Sequence, residues 1–359
     1  MSGRVTADSP GLVERVDAEL AAFLDGRAES FAVFGGDLGP LTQAARAFVL
    51  DGGKRLRPRF AYWGWRAVQD RDADDRGLVT AAASLELLHG CALVHDDVMD
   101  ASATRRGRPA AHAAFAGLHR DSGWTGDAEV FGTAAAILLG DLLLSWADEM
   151  FAAAAIVPSW AGSARRVYDD MRQLVMAGQY LDVLVQARAE FSADEALRVI
   201  EFKTSKYTIE VPLHLGAAIG GAGPEALWTL SAYGLPLGEA FQLRDDVLGV
   251  LGDPDVTGKP AGDDLREGKQ TLLTALAMRN ADPDQAKLLR RDLGNRSLDS
   301  DQITVLRDVI VATGALEQVE HRITDRAAQA LAALDTDAIS LESRTALGDL
   351  VGAATRRRT

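Results

Sequence analysis

Residues 78 to 100 constrain this chain more than any other stretch. Leu85, Leu87, Leu88, Cys91, Ala92, Leu93 and Val94 leave the segment with no polar face, and a helix apolar all round belongs inside a protein. It then ends in acid. Asp96 and Asp100 are four residues apart and share one helical face, and His89 lies two turns before Asp96 on that face. Asp97 sits beside them. Carboxylates at the end of a buried helix stand at the mouth of a core and need a counter-charge. Five residues past Asp100 the charge reverses, at Arg105, Arg106 and Arg108. Acid followed by guanidinium suits a metal-bound polyanion. Mg²⁺ takes one or two carboxylates plus phosphate oxygens, and arginine forks onto phosphate.

The remaining sequence predicts helices around that one. Of 359 residues 47% are hydrophobic, prolines number only 11, and the apolar set is dominated by Ala and Leu. Alternating Val/Ile/Thr runs are scarce, which points to an all-α chain. No internal repeat or long linker divides it, so a single all-helical domain over 1–359, an antiparallel bundle with a central cavity, is the expected architecture. Helices are expected over 10–34, 40–50, 78–100, 131–155, 162–189, 192–220 and 227–251, with three or four more over 271–355. Residues 66–77, 101–130 and 252–270 read as loops, and Arg356, Arg357 and Arg358 as a basic tail.

Several function classes drop out. A net charge of −14 argues against nucleic acid as a partner. The N-terminus carries no apolar signal core. The most apolar stretch, Thr133 to Trp146, is broken by Asp141 and too short for a transmembrane segment. Cys91 is the single cysteine, which fits a reducing compartment and the role of a small core residue. A soluble, cytoplasmic protein is expected.

Two further stretches repeat the pairing of acid with base. In 52–58, GGKRLRP, two glycines allow close backbone approach. Lys54, Arg55, Arg57 and Arg59 then stand where the apolar run FAYWGW begins, and a helix N-terminus favours anions. In 241–249, Gln242 precedes Asp245 and Asp246, while Gly249 stands where a third acid of a DDxxD string would be. Lys203, Thr204 and Lys206 lie upstream of that cluster. Downstream, Lys259 and Lys269 flank Asp263 and Asp264. Two such constellations about 150 residues apart suggest two walls of one cavity, holding several Mg²⁺ ions around a diphosphate.

Taken together, in this order and spacing, GGKRLRP, DDVMD, KT, QLRDD and GKQT resemble the trans-isoprenyl diphosphate synthases, also called polyprenyl synthetases, across about sixty per cent of the chain. The resemblance implies the isoprenoid synthase fold, a homodimer, and about three Mg²⁺ ions per site. It implies that Lys54, Arg57, His89 and Arg106 bind isopentenyl diphosphate, and that Arg105, Lys203, Lys259 and Lys269 contact the allylic diphosphate. Thr204 and Gln242 match the KT pair and the glutamine before the second motif. Asp96, Asp97, Asp100, Asp245 and Asp246 match the metal-binding acids, the first and last acids of DDVMD being the Mg²⁺ ligands. Asp96, Asp100, Arg105, Lys203 and Asp245 stand as the catalytic set.

Small residues one turn before Asp96, Cys91 and Ala92, leave room for an allylic tail, and the first motif lacks a two-residue insertion. Geranylgeranyl diphosphate is therefore the expected product, with longer chains or farnesyl diphosphate as alternatives. Three rivals remain at the level of sequence. A class I terpene cyclase shares DDxxD but has no use for GGKRLRP. A di-iron bundle could use Glu86-x-x-His89 but needs a second such string. A non-catalytic subunit of a heteromeric synthase would fit Gly249 but not the intact first motif.

Overall fold

The computed structural model describes residues 11–188, 192–252 and 262–355. Lys259 and the basic tail lie outside them. The chain divides into two compact units, Met1–Asp169 with Pro212–Gly223, and Asp170–Val211 with Pro224–Thr359.

In the first unit, α1 (Leu12–Ala32) buries Leu12, Val16, Leu20 and Leu24, a stripe at four-residue spacing. It packs on α2 (Gly39–Leu50) and on α4 (Arg76–Met99), the predicted apolar helix. Between them in sequence runs α3 (Leu56–Arg66). Fourteen residues of α4 are buried, Asp97 included. Its main partner is α6 (Ala128–Ala152).

The expected loop over 101–130 is a correction. It holds a two-residue hairpin, β1 (Thr104–Arg105) and β2 (Arg108–Pro109), and then helix α5 (Ala111–Asp121). The hairpin turn is Arg106-Gly107, both with positive φ (52° and 74°), the pattern of a primed turn that matches strand twist. Gly, His and Asp gave that region a loop-like composition, yet α5 buries Phe115, Ala116 and His119. Asp127 caps α6 by accepting from the Glu129 and Val130 amides, so α6 begins three residues earlier than 131.

The second unit takes in part of α7 (Pro158–Arg188), then α8 (Ala193–Val199) and, in place of the expected uniform helix, an eleven-residue π-helix over Ile200–Glu210. It leads into α9 (Val211–Ile219). The Val211 amide donates to Lys206 O, five residues back rather than four. The next residue, Pro212, has no N–H to continue an α-helical ladder, and the widened turn accommodates it. Such a turn needs room. A Cβ on Gly178 would lie 2.8 Å from the Lys203 backbone nitrogen, and one on Gly238 only 2.3 Å from Ser205 Cα. Gly238 belongs to α10 (Pro224–Leu251), which packs along the π-helix.

A short helix α11 (Asp263–Glu267) follows. Five closing helices come next, against an expectation of three or four: α12 (Leu272–Asn280), α13 (Pro283–Asp292), α14 (Ser300–Ala312), α15 (Ala315–Ala332) and α16 (Leu341–Thr355). Reciprocal capping boxes at Thr271/Thr274, Asp282/Gln285 and Asp299/Gln302 begin the first three. Helices α12 and α13 are short and separated by two residues, which is why their periodicity merged in the sequence.

By length and composition α4 and α6 could each cross a membrane. The most apolar window of α4 is 78% buried, as in a core helix, and that of α6 is 39% buried.

Gly238→Ala is expected to destabilise the protein by about 2 kcal/mol, because backbone rather than a flexible side chain meets the new methyl. Gly162→Ala, where nothing lies within 4 Å inside α7, is expected to stabilise by up to about 1 kcal/mol. Urea midpoints of the two variants check both signs.

Candidate active site

The first cluster, in the first unit, is built where α4 ends. Asp100 caps the helix and its amide bonds Asp96 O at 2.9 Å. Ala101 then turns left-handed, with φ 51°. This sharp end sends the chain back through the hairpin, so Arg105 returns to α4. Its Nε donates to both oxygens of Asp97 at 2.8 Å, and its Nη2 lies 3.9 Å from Asp96. Asp97 is fully buried, and without that fork its charge would be prohibitive. Both Asp97 oxygens are thus occupied by a guanidinium, whereas the sequence placed this residue among the metal ligands. Asp96 keeps a side-chain exposure of 18%.

The same hairpin reaches the GGKRLRP loop. Arg106 Nη1 donates to the carbonyls of Asp51 (3.3 Å) and Gly52 (3.1 Å), and Arg108 pairs with the Asp51 carboxylate. Lys54 is exposed, Arg57 is buried, and α3 begins at Leu56. His89 is half-buried. Burial, and then Arg57, Arg106, Arg105 and Arg55 around it, hold its pKa well below the ordinary histidine value. At neutral pH it is an uncharged imidazole among cations. Glu86, one turn before it, accepts from Arg55 at 2.9 Å. That bond engages one Glu86 oxygen with a guanidinium.

The second cluster, in the second unit, hangs on the π-helix. Lys203 Nζ donates to Asp182 at 2.6 Å. Thr204 Oγ1 donates to Gln242 Oε1 at 2.6 Å, and Gln242 Nε2 donates on to Asp246 at 2.8 Å. This relay fixes the orientation of the Gln242 amide. Burial, with the charges of Asp264 and Asp245 adding to it, pushes the Asp246 carboxyl up to about 7, against the lowering effect of the Gln242 bond and Lys269. Lys269 contacts Asp264 (3.3 Å) and Glu267 (3.1 Å). Arg244 turns away from the acids to a bidentate pair with Glu320 at 2.6 and 2.7 Å, which ties α10 to α15. Gly249 has its own explanation. A Cβ there would lie 1.8 Å from Asp264 Oδ2, so the Asp264 carboxylate fills the space of a third acid in this motif.

Asp182, Asp264 and Arg55 were not singled out as site residues from sequence. A helical lysine such as Lys203 needs a nearby acid, but no spacing rule connects residues 21 positions apart. Of the two residues expected to set product length, Ala92 is four before Asp96 and shares its face. Cys91 faces α6 with His95: its sulfur lies 3.8 Å from His95 Nδ1, and His95 Nε2 meets Ile137 O at 3.1 Å. Burial, with Asp141 nearby, pushes the Cys91 thiol up to about 12, so it stays protonated.

Among the described residues no three His, Cys, Asp or Glu side chains form a closed metal cage. Carboxylate-only donors spread over helix ends fit Mg²⁺, which keeps waters and substrate oxygens in its shell, and do not fit a soft or tetrahedral metal.

The described fold is helical but for one short hairpin, with acid at the end of α4 and arginines clustered beside it. Residues 39–310 match the polyprenyl synthetase family, and the chain belongs to that family. It is an isoprenyl diphosphate synthase of the prenyltransferase class. Its fold is shared, at TM-score 0.94 and 42% identity over 98% of this chain and 99% of the other, with a geranylgeranyl pyrophosphate synthase from Corynebacterium glutamicum crystallised with isoprenyl diphosphate and magnesium. The chain is 34% identical over 288 residues to the geranylfarnesyl diphosphate synthase of Aeropyrum pernix, covering 79% of this chain and 83% of that one. It is 33% identical over 303 residues to the octaprenyl diphosphate synthase of Escherichia coli, covering 83% and 84%.

A histidine held neutral in the fold favours folding above its unfolded pKa of about 6.5. Below that, the unfolded chain takes up a proton that the fold refuses, and the contribution is lost as pH falls. Any stability that His89 gives over Gln in His89→Gln is therefore expected to shrink between pH 7 and pH 5. Thermal melts of both ligand-free proteins check it. A difference that grows on acidification counts against a neutral His89.

Proposed function

We propose that the chain joins isopentenyl diphosphate head to tail to an allylic diphosphate, with all-trans geranylgeranyl diphosphate as its product. The observation that carries this reading is the arginine cluster around His89 in the first unit. A neutral, half-buried histidine is ringed by arginines, on the helix whose end presents Asp96 and Asp100.

Asp96, Asp100 and Asp245 are the residues we assign to Mg²⁺, three ions in all, with Asp97 holding Arg105 beside them and Asp246 behind Asp245. Bound there, the metal neutralises the allylic diphosphate and lowers the cost of charge on the leaving group. Arg105, Lys203 and Lys269 meet the same diphosphate from the protein side. Lys54, Arg57, His89 and Arg106 hold isopentenyl diphosphate. The allylic C–O bond breaks, the isopentenyl double bond attacks the cationic carbon, and the proton lost afterwards goes to the released diphosphate. The apolar walls of α4 and its neighbours keep water from the cation.

The growing tail runs along the face of α4 that bears Asp96, Ala92 and Leu88. Leu88 is 1% exposed and forms the floor. We further infer that the chain acts as a homodimer. Val130, Thr133, Ala134, Ile137 and Leu138 form an exposed, mainly apolar stripe along α6, and a second copy would cover it.

Labelled isopentenyl diphosphate, offered with C5, C10 or C15 primers and Mg²⁺, is expected to give a C20 product that chelation abolishes. No incorporation with any primer sinks the synthase reading for this chain. Ala92→Phe is expected to shorten the product by at least one isoprene unit and Leu88→Ala to lengthen it, both read by chromatography. Leu138→Lys is expected to halve the mass seen by light scattering; an unchanged mass rules α6 out as the dimer face.

A further inference from the structure

In the basic stretch at 52–58, Arg55 turns its side chain into the protein. Arg55 lies between Lys54 and Arg57 in sequence, yet its side chain is 3% exposed. Each of its three nitrogens donates into the protein. Nε reaches Asp17 at 2.7 Å, Nη1 reaches Glu86 at 2.9 Å, and Nη2 reaches the Val49 carbonyl at 3.0 Å. These acceptors belong to three helices, α4, α2 and α1. A diphosphate could reach Arg55 only by displacing two carboxylates.

The backbone bends to allow this. Arg55 has φ 49°, a left-handed conformation that a non-glycine residue adopts only where its surroundings hold it. Gly52 and Gly53 precede it at φ 93° and 120°. A Cβ on Gly53 would lie 3.2 Å from Arg55 Nη1 and 3.5 Å from Arg106 Nη2. The loop therefore folds closely over two guanidinium groups, one of which faces the interior.

Resting on the reading that this loop binds isopentenyl diphosphate, we propose that Arg55 is the residue that positions it. The bond to Glu86 ties the loop to α4 one turn before His89, and the bond to Asp17 ties it to α1. With Arg55 drawn inward, the backbone on either side is held at a set distance from His89, with Lys54 outward and Arg57 buried near the imidazole. Arg55 touches no substrate. It acts through Lys54 and Arg57, and lysine cannot replace it fully because one ammonium cannot serve acceptors in three directions.

The test separates the two substrates. Arg55→Met, Arg55→Lys and the apolar double variant Arg55→Met/Glu86→Leu are compared with the full-length wild type for kcat, for KM towards isopentenyl diphosphate and towards the allylic diphosphate, and for melting temperature. Arg55→Met is expected to raise KM for isopentenyl diphosphate by about tenfold or more, one lost interaction in free-energy scale. The allylic KM should stay within twofold, and Arg55→Lys should fall between wild type and Met. The double variant removes both buried charges and should regain thermal stability, while its KM for isopentenyl diphosphate stays high. If that KM returns with stability, or if both KM values rise together, Arg55 is only structural and the proposal is overturned. An unchanged isopentenyl KM in the folded Met or Lys variant overturns it as well. A wild type that incorporates no isopentenyl diphosphate would instead remove the functional reading beneath it.

Discussion

The cluster at the end of α4 depends on one buried ion pair. Asp97 sits on the last buried turn of α4 with no solvent exposure, and a carboxylate cannot remain ionised there alone. Arg105 satisfies it with three contacts, but only because the chain reverses at once after the helix. The left-handed Ala101 and the Arg106-Gly107 turn make that reversal. Once Arg105 is anchored, its neighbours have little freedom. Arg106 falls on the carbonyls of Asp51 and Gly52, and Arg108 on Asp51. A single pair thus joins the acid motif to the basic loop and places cations around His89.

In the second unit the electrostatic balance is the reverse. Lys203 and Lys269 are engaged by Asp182, Asp264 and Glu267, and Asp246 is left with burial and two nearby acids working against its charge. The Thr204–Gln242–Asp246 relay supplies hydrogen bonds without supplying charge. A carboxyl raised to about 7 marks a site short of positive charge. Arginines gather around His89 in the first unit, and acids around Asp246 in the second.

Much of this was legible in the sequence because the decisive relations are local. Asp96 and Asp100, Ala92 and Asp96, and Gln242 and Asp246 are each four residues apart, and helix geometry alone places each pair on one face. The apolar run before Asp96 announced burial. What escaped the sequence is non-local or depends on backbone that no composition announces. Arg55 finds partners 38 and 31 residues away. The π-helix owes its wide turn to a proline just beyond it and its room to glycines on two other helices. The helix at 111–121 was hidden by residues common in loops.

Gly249 shows why a missing motif residue should be weighed in three dimensions. In the sequence it is an absence, the lost third acid of a DDxxD string, and it weakens the second cluster. In the structure the space is taken, because Asp264 places a carboxylate oxygen 1.8 Å from where a Cβ on Gly249 would be, and a side chain there would require Asp264 to turn away. An aspartate at 249 and Asp264 in its present rotamer cannot coexist. The acid count of this cluster is therefore set jointly by α10 and α11. Asp264, held on the other side by Lys269, brings negative charge to the same space from a different helix. A protein of net charge −14 handles polyanions by such local arrangements, with each cluster's sign set by a few contacts and not by the charge of the whole.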